Sequence, residues 1–179
     1  IPLHTLEVVL RNRIHDIMSV STGTSWFDQP GLLVLEHQKR QLAKAVEEIQ
    51  EDNKIPTPGR IISALTFRFW TSMLSPAYEN LWQISLHHIA RRQNGKGVRR
   101  KDIAGPVKSI RRLRNRIAHH EPIIQWNLPR HYQNMLTLTE WLSPVAAAWC
   151  RANSRFEQVY PSDGIALHVS PRAVETDDV

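Results

Sequence analysis

The sequence predicts an all-α fold: a helical bundle followed by a mostly irregular tail. Apolar residues recur every three to four positions along most of the chain. Prolines fall at helix starts and between the apolar stretches. At 179 residues and 41% hydrophobic content, the chain supports one core and no second full domain. Residues 1–160 are read as the helical domain and 161–179 as the tail.

Leu6, Val9, Leu10, Ile14, Ile17 and Met18 keep helical spacing, so a first amphipathic helix is expected over about 3–20. Gly23 to Gly31 reads as a loop whose Trp26 and Phe27 plug the core. A second helix is expected over about 33–51, with Lys, Glu and Gln outward. After a connector at 53–57, Thr57-Pro58 supplies an N-cap with proline at the first helical position. The third helix, about 58–74, carries Ile61, Ile62, Leu65, Phe69 and Met73 inward. Ser75-Pro76 interrupts it, and a fourth helix follows to about Arg92. Trp70, Tyr78 and Trp82 are read as core aromatics and not as a base-stacking platform. Gln93 to Gly97 makes a basic turn. The next helix, about 100–120, has Ile103, Val107, Ile110, Leu113 and Ile117 as its buried stripe. Residues 122–129 are expected to cross in extended form, and one long helix to cover about 130–153. In the tail, at most a short strand is expected around 165–169.

A single cysteine, Cys150, excludes an internal disulfide and a cysteine-based zinc site; between Trp149 and Arg151 it reads as a packed thiol. No apolar run approaches a bilayer span and the start does not read as a signal peptide, so a cytoplasmic protein without membrane partners is expected. The net charge of +6 is concentrated. Between Arg91 and Arg116 eleven Lys or Arg stand against one acid, Asp102, which makes that window +10 and leaves the rest of the chain at −4. Such a run predicts a track for a phosphate backbone. The RNA contacts expected from it are Arg99, Arg100, Lys101, Lys108, Arg111, Arg112 and Arg116, with His120 beyond.

The basic run leads into Leu113-Arg114-Asn115-Arg116-Ile117-Ala118-His119-His120-Glu121-Pro122. Asn115 and His119, four apart, share a helix face. Arg114 and His119, five apart, lie about 140° apart around an ideal helix axis. Either the helix ends near His119, ahead of Pro122, or a second copy of the helix supplies one of the two groups. Histidine can move a proton near neutral pH, and arginine can grip two phosphate oxygens. Metal-free cleavage of RNA needs those abilities: a base for the 2′-OH, an acid for the leaving 5′ oxygen, and cations on the phosphorane.

Further blocks lie upstream in a fixed order: Leu6-Glu7-Val8-Val9-Leu10-Arg11-Asn12-Arg13-Ile14, then Trp26-Phe27, then Leu65 to Ser75 (LTFRFWTSMLS), then Tyr78-Glu79-Asn80-Leu81-Trp82. Together with Arg111 to Ile123, these blocks make the chain resemble the Abi-like (abortive infection) family of the HEPN superfamily over roughly 120 residues. The resemblance implies a HEPN-like helical bundle, a homodimer and, in active members, a metal-independent endoribonuclease without cofactor, acting in phage defence or growth arrest. It places the catalytic motif on Arg114, Asn115 and His119, and suggests a neutralising antitoxin or regulatory partner. Relatives begin with a further helical stretch, whereas this chain opens at Ile1-Pro2, so an additional N-terminal segment is expected.

Two other functions compete with a ribonuclease. One is an RNA- or nucleotide-binding module without catalysis. The other is a metallohydrolase built on His87, His88, His119, His120 and His131. Adjacent histidines on a helix point about 100° apart and make no ready chelate, so no metal site is assigned. Leu-Arg-Asn-Arg-Ile occurs at both 10–14 and 113–117 and is taken as a coincidence of helix composition.

Overall fold

The computed structural model describes residues 1–161 and 163–165, and within them every named element is helical. The helices are α1 (Pro2–Thr22), α2 (Glu36–Glu51), α3 (Pro58–Ala64), α4 (Phe67–Ser72), α5 (Glu79–Ile89), α6 (Arg100–Ala118), α7 (Leu128–Leu142), α8 (Pro144–Asn153) and the single turn α9 (Phe156–Val159). Short 3₁₀ turns at Trp26–Asp28 and Pro76–Tyr78 join them, and one isolated antiparallel bridge pairs Arg91 with Gly97. None of the helices is long and apolar enough to cross a membrane. Most of the expected tail strand lies outside the described residues.

The hub is α1. Its stripe of Leu6, Leu10, Ile14 and Met18 is fully buried, and it packs on α4, α5, α7 and α8. Arg13 on its flank donates to the carbonyls of His88 at 3.2 Å and Ile89 at 3.4 Å, satisfying the orphan end of α5. Trp26, Phe69 and Trp70 plug the centre in edge-on and tilted contacts with centroids 5.1–6.4 Å apart. Trp82 is buried as well, its Nε1–H donating to the Met73 carbonyl at 2.6 Å. A polar knot stiffens this core: Tyr78 donates its hydroxyl to Gln38 Oε1, and Gln38 Nε2 donates to the Phe69 carbonyl at 3.1 Å. Tyr132, Leu136 and the buried Cys150 form a smaller core where α7 meets α8.

Several boundaries differ from the sequence-based expectation, each for a local reason. The helix expected over 58–74 is two helices, because Leu65 (ψ 133°) and Thr66 (ψ 161°) turn extended and aim Phe67 and Phe69 into the core. The long last helix is also two, since Pro144 forces Ser143 into the β region. Ser143 then caps α8, its Oγ accepting from the Ala146 N–H at 3.3 Å. Pro76 starts a 3₁₀ turn, and the regular fourth helix begins only at Glu79. Thr57 holds the N-cap position with proline following, but its side chain makes no cap bond. Residues 122–129 are not simply extended: the Trp126 N–H closes a turn onto the Ile123 carbonyl at 3.0 Å.

Candidate functional site

The site is organised by α6. Its apolar side, Ile103, Val107, Ile110 and Leu113, is buried against the bundle. Lys101, Lys108, Arg112 and Asn115 are exposed, as is His119 at the helix end; by helical geometry they fall within a sector of about 60° facing away from the core. Ile117 departs from expectation. It falls on the apolar side yet is 44% exposed, because α6 overhangs the bundle at its C-terminal end.

A left-handed residue stops the helix. His120 takes φ 55°. Its N–H bonds the Ile117 carbonyl at 3.2 Å and the Glu121 N–H bonds the Arg116 carbonyl at 2.8 Å, the paired bonds of a Schellman end. The last regular residue is therefore Ala118, with His119 at the C-cap and Pro122 barring continuation. This turn leaves His119 and His120 side by side at an exposed helix end.

The motif residues divide between two faces. Asn115 and His119 lie one turn apart on the outward face, where the His119 N–H bonds the Asn115 carbonyl at 2.9 Å. Arg114 turns the other way, toward α1, and its Nε stands 3.9 Å from Glu7 Oε2. The Arg114 side chain keeps 41% exposure, so it borders solvent at the α1–α6 edge. A single chain thus places the arginine on one edge of α6 and the histidine on another. Glu7 is a residue that the motif does not point to; its signal is an acid within an otherwise apolar helix segment, Leu6-Glu7-Val8-Val9.

The basic residues carry unequal commitments. Arg100 is nearly buried, ion-paired with Glu79 and donating to the Leu74 carbonyl at 2.6 Å. Arg99 and Arg92 both grip Asp102, at 3.0 and 2.8 Å. The hydrogen bond from Arg99 is the main cause that holds the Asp102 carboxyl below its usual range. Asp102 also accepts from the Arg99 backbone N–H at 3.1 Å, capping the start of α6. Arg112 and Arg116 lie over the Trp126 ring, each with its guanidinium carbon 5.8 Å from the centroid. Arg116 also pairs with Glu121 at 3.3 Å and donates to the Pro122 carbonyl at 3.1 Å. Trp126 is the residue that sequence reasoning misses: a half-buried ring, 5.3 Å from the His131 ring, that props two of the cations. Lys101 and Lys108 are exposed, and no ion pair within the described residues involves either. Arg111 is half-buried and reaches Thr71 Oγ1 at 3.4 Å.

The His87 and His88 rings lie tilted against one another on the surface of α5, with centroids 3.9 Å apart. Among the described residues, no three His, Cys, Asp or Glu side chains are grouped as a metal ion requires. Chemically, the C-terminal end of α6 offers an exposed imidazole, an exposed carboxamide one turn before it, and guanidinium groups on both flanks. That set can move protons and bind a phosphodiester. Set beside family models, characterised proteins and solved structures, the chain matches none of them.

Proposed function

We propose that this protein is a metal-independent endoribonuclease of the HEPN type, working as a homodimer in phage defence or growth arrest. The observation that carries the proposal is the exposed end of α6. There Asn115 and His119 face outward at the end of the most basic helix, and Arg114 borders the adjacent edge. Arg114 stabilises the scissile phosphate, His119 transfers the proton, and Asn115 orients the imidazole or bonds the phosphate. Lys101, Lys108, Arg111 and Arg112, with Arg116 and His120 near the site, follow the neighbouring backbone.

The division of Arg114 and His119 between two faces supports a dimeric site. The same helix end carries Ile117 on its apolar side, a residue left half in water, which a second copy would cover. Two α6 ends meeting there bring the arginine of one chain toward the histidine of the other.

The test is cleavage of a long single-stranded RNA in excess chelator. The expected products carry a 5′-OH and a 2′,3′-cyclic phosphate, or the 3′-phosphate from its hydrolysis, because the 2′-OH is the nucleophile. His119→Ala is expected to lose at least about 10²-fold in rate while keeping RNA affinity. A 3′-OH product, or full activity in that variant, overturns the mechanism. Binding without any cleavage by the wild-type protein leaves the RNA-binding module as the reading that stands.

A further inference from the structure

A cavity of about 260 Å³ lies between α4, the 3₁₀ turn at Pro76–Tyr78 and the middle of α6. Its polar lining includes Thr71, Ser75, Lys108 and Arg111. Arg100 also lines it, but that guanidinium is spent on Glu79 and the Leu74 carbonyl and serves as wall.

The remaining groups are an unbalanced set of donors. The guanidinium of Arg111 is half-buried, and its hydrogen bond, to Thr71 Oγ1, is long at 3.4 Å. Burial, and then the neighbouring cation Arg68, weaken its hold on its proton. The Ser75 hydroxyl is buried without a hydrogen-bond partner. Lys108 is exposed at the rim. On the adjoining side His37 meets Ser72 Oγ at 2.9 Å, and burial followed by Arg68, Arg40 and Arg111 holds its imidazole below the ordinary range. Positive charge is therefore gathered at a partly desolvated corner beside one unpartnered hydroxyl, that of Ser75, while the Thr71 hydroxyl donates to the Arg68 carbonyl at 3.1 Å. Among the ion pairs within the described residues, none gives Lys108 or Arg111 a carboxylate. Such an arrangement is unfavourable empty and favourable around an anion.

We propose that this cavity holds a backbone phosphate of single-stranded RNA, gripped by Lys108 and Arg111 with the Ser75 hydroxyl as a further donor. The proposal rests on RNA being the ligand of the α6 face, as argued above. Lys108 shares the outward face of α6 with Asn115 and His119, and Arg111 precedes His119 by eight residues, a rise of about 12 Å. A few nucleotides of single strand span that distance. The cavity has room for one phosphate and part of a ribose and none for a duplex, so it fixes where the strand lies relative to the cleaving end.

The test uses the full chain in a His119→Ala background, which keeps the strand intact. Amide NMR shifts are followed on adding a ten-nucleotide single-stranded RNA and, separately, inorganic phosphate. RNA is expected to move the amides of residues 71–75 and 108–111. By fluorescence anisotropy, the Lys108→Gln/Arg111→Gln double variant should bind about tenfold more weakly. Its log–log salt slope should be shallower by about 0.7 for each phosphate that the variant no longer neutralises. Arg60→Gln, which removes a charge from α3, should change neither. Unmoved 71–75 amides in the wild-type pocket overturn the proposal, with no dependence on how the variants fold. So does a cavity that responds to inorganic phosphate and not to RNA. Failure of the ribonuclease reading is separate: it appears as uncleaved RNA with wild-type His119 in place, whatever the pocket does.

Discussion

Arg114 and Glu7 face one another between α6 and α1, with Nε 3.9 Å from Oε2 and both side chains partly open to solvent. At that distance and exposure the pair contributes little to stability, within about 1 kcal/mol. Its consequence is functional. In the proposed ribonuclease, Glu7 is the group that a phosphate would have to displace to engage Arg114. Replacing Glu7 by Gln should therefore tighten binding of a short single-stranded RNA by about threefold, the scale of a surface charge pair. In an Arg114→Ala background the same change should have no effect, because the group that Glu7 competes for is gone. A double-mutant cycle by anisotropy measures this. An equal gain in both backgrounds would mean that Glu7 acts only as a general negative charge.

Ile117 gives the dimer prediction. It follows Ile110 and Leu113 on the apolar side of α6, yet is 44% exposed while they are buried. Ile117→Glu should convert a two-fold dimer to a monomer by sedimentation and abolish cleavage. Its melting temperature as a monomer should match the wild-type protein diluted below its dimer Kd. A monomeric wild-type protein at micromolar concentration would remove this edge as the interface.

Acid should weaken the fold through three histidines. Burial is the leading cause that lowers the proton affinity of His15, His37 and His131. His15 Nδ1 also accepts the Trp26 Nε1–H at 3.0 Å, a bond that requires that nitrogen unprotonated. A group whose folded pKa is depressed binds more protons unfolded, so stability rises with pH across that window. From pH 7.5 down to about 6.5 little should change; below the ordinary histidine value near 6.5 stability should fall, levelling off once pH passes the folded values. Denaturant melts at several pH values measure the slope. His15→Gln, which keeps an acceptor for Trp26, should flatten it in part; an unchanged slope would remove His15 as a contributor.

The helix end can be tested by relieving strain. His120 sits at φ 55° in the position that helix ends usually give to glycine. His120→Gly should stabilise the protein by about 1 kcal/mol, since a β-carbon there is disfavoured. A thermal melt should rise by about 2–4 °C for a chain of this size. A loss of stability would mean that the imidazole makes contacts worth more than the strain.

Where the sequence is explicit, the structure follows it. The α1 stripe, the α6 stripe as far as Leu113, and the plug of Trp26 and Trp70 are all legible from spacing and size. Ser143-Pro144 carries the same break signal as Ser75-Pro76, but the apolar period runs through it and hides the corner. The break at Leu65-Thr66 has neither proline nor glycine. It exists because the core takes Phe67 and Phe69 from that direction, a tertiary preference that local pattern does not record. Spacing alone puts Ile117 inward, because periodicity describes a helix and not where its neighbours stop. For the same reason the sequence states the angle between Arg114 and His119 without naming Glu7, which lies more than a hundred positions away, as the residue that Arg114 meets. The buried Gln38, joining Tyr78 to the Phe69 carbonyl, is likewise hidden in a helix whose sequence is mostly charged and polar.

Mixing two dead variants decides how the catalytic groups are shared. Arg114→Ala and His119→Ala should each lose at least about 10²-fold in rate alone. If each site takes its arginine from one chain and its histidine from the other, a heterodimer of the two variants has one site with both groups missing and one with both intact. Co-refolding equal amounts gives about half heterodimer by random pairing. The mixture should then recover about a quarter of wild-type activity, since half the dimers carry one of two sites. If instead both groups act within one chain, every site lacks one of them and the mixture stays dead. The arrangement of α6, with Arg114 turned to α1 and His119 turned outward, predicts the first outcome.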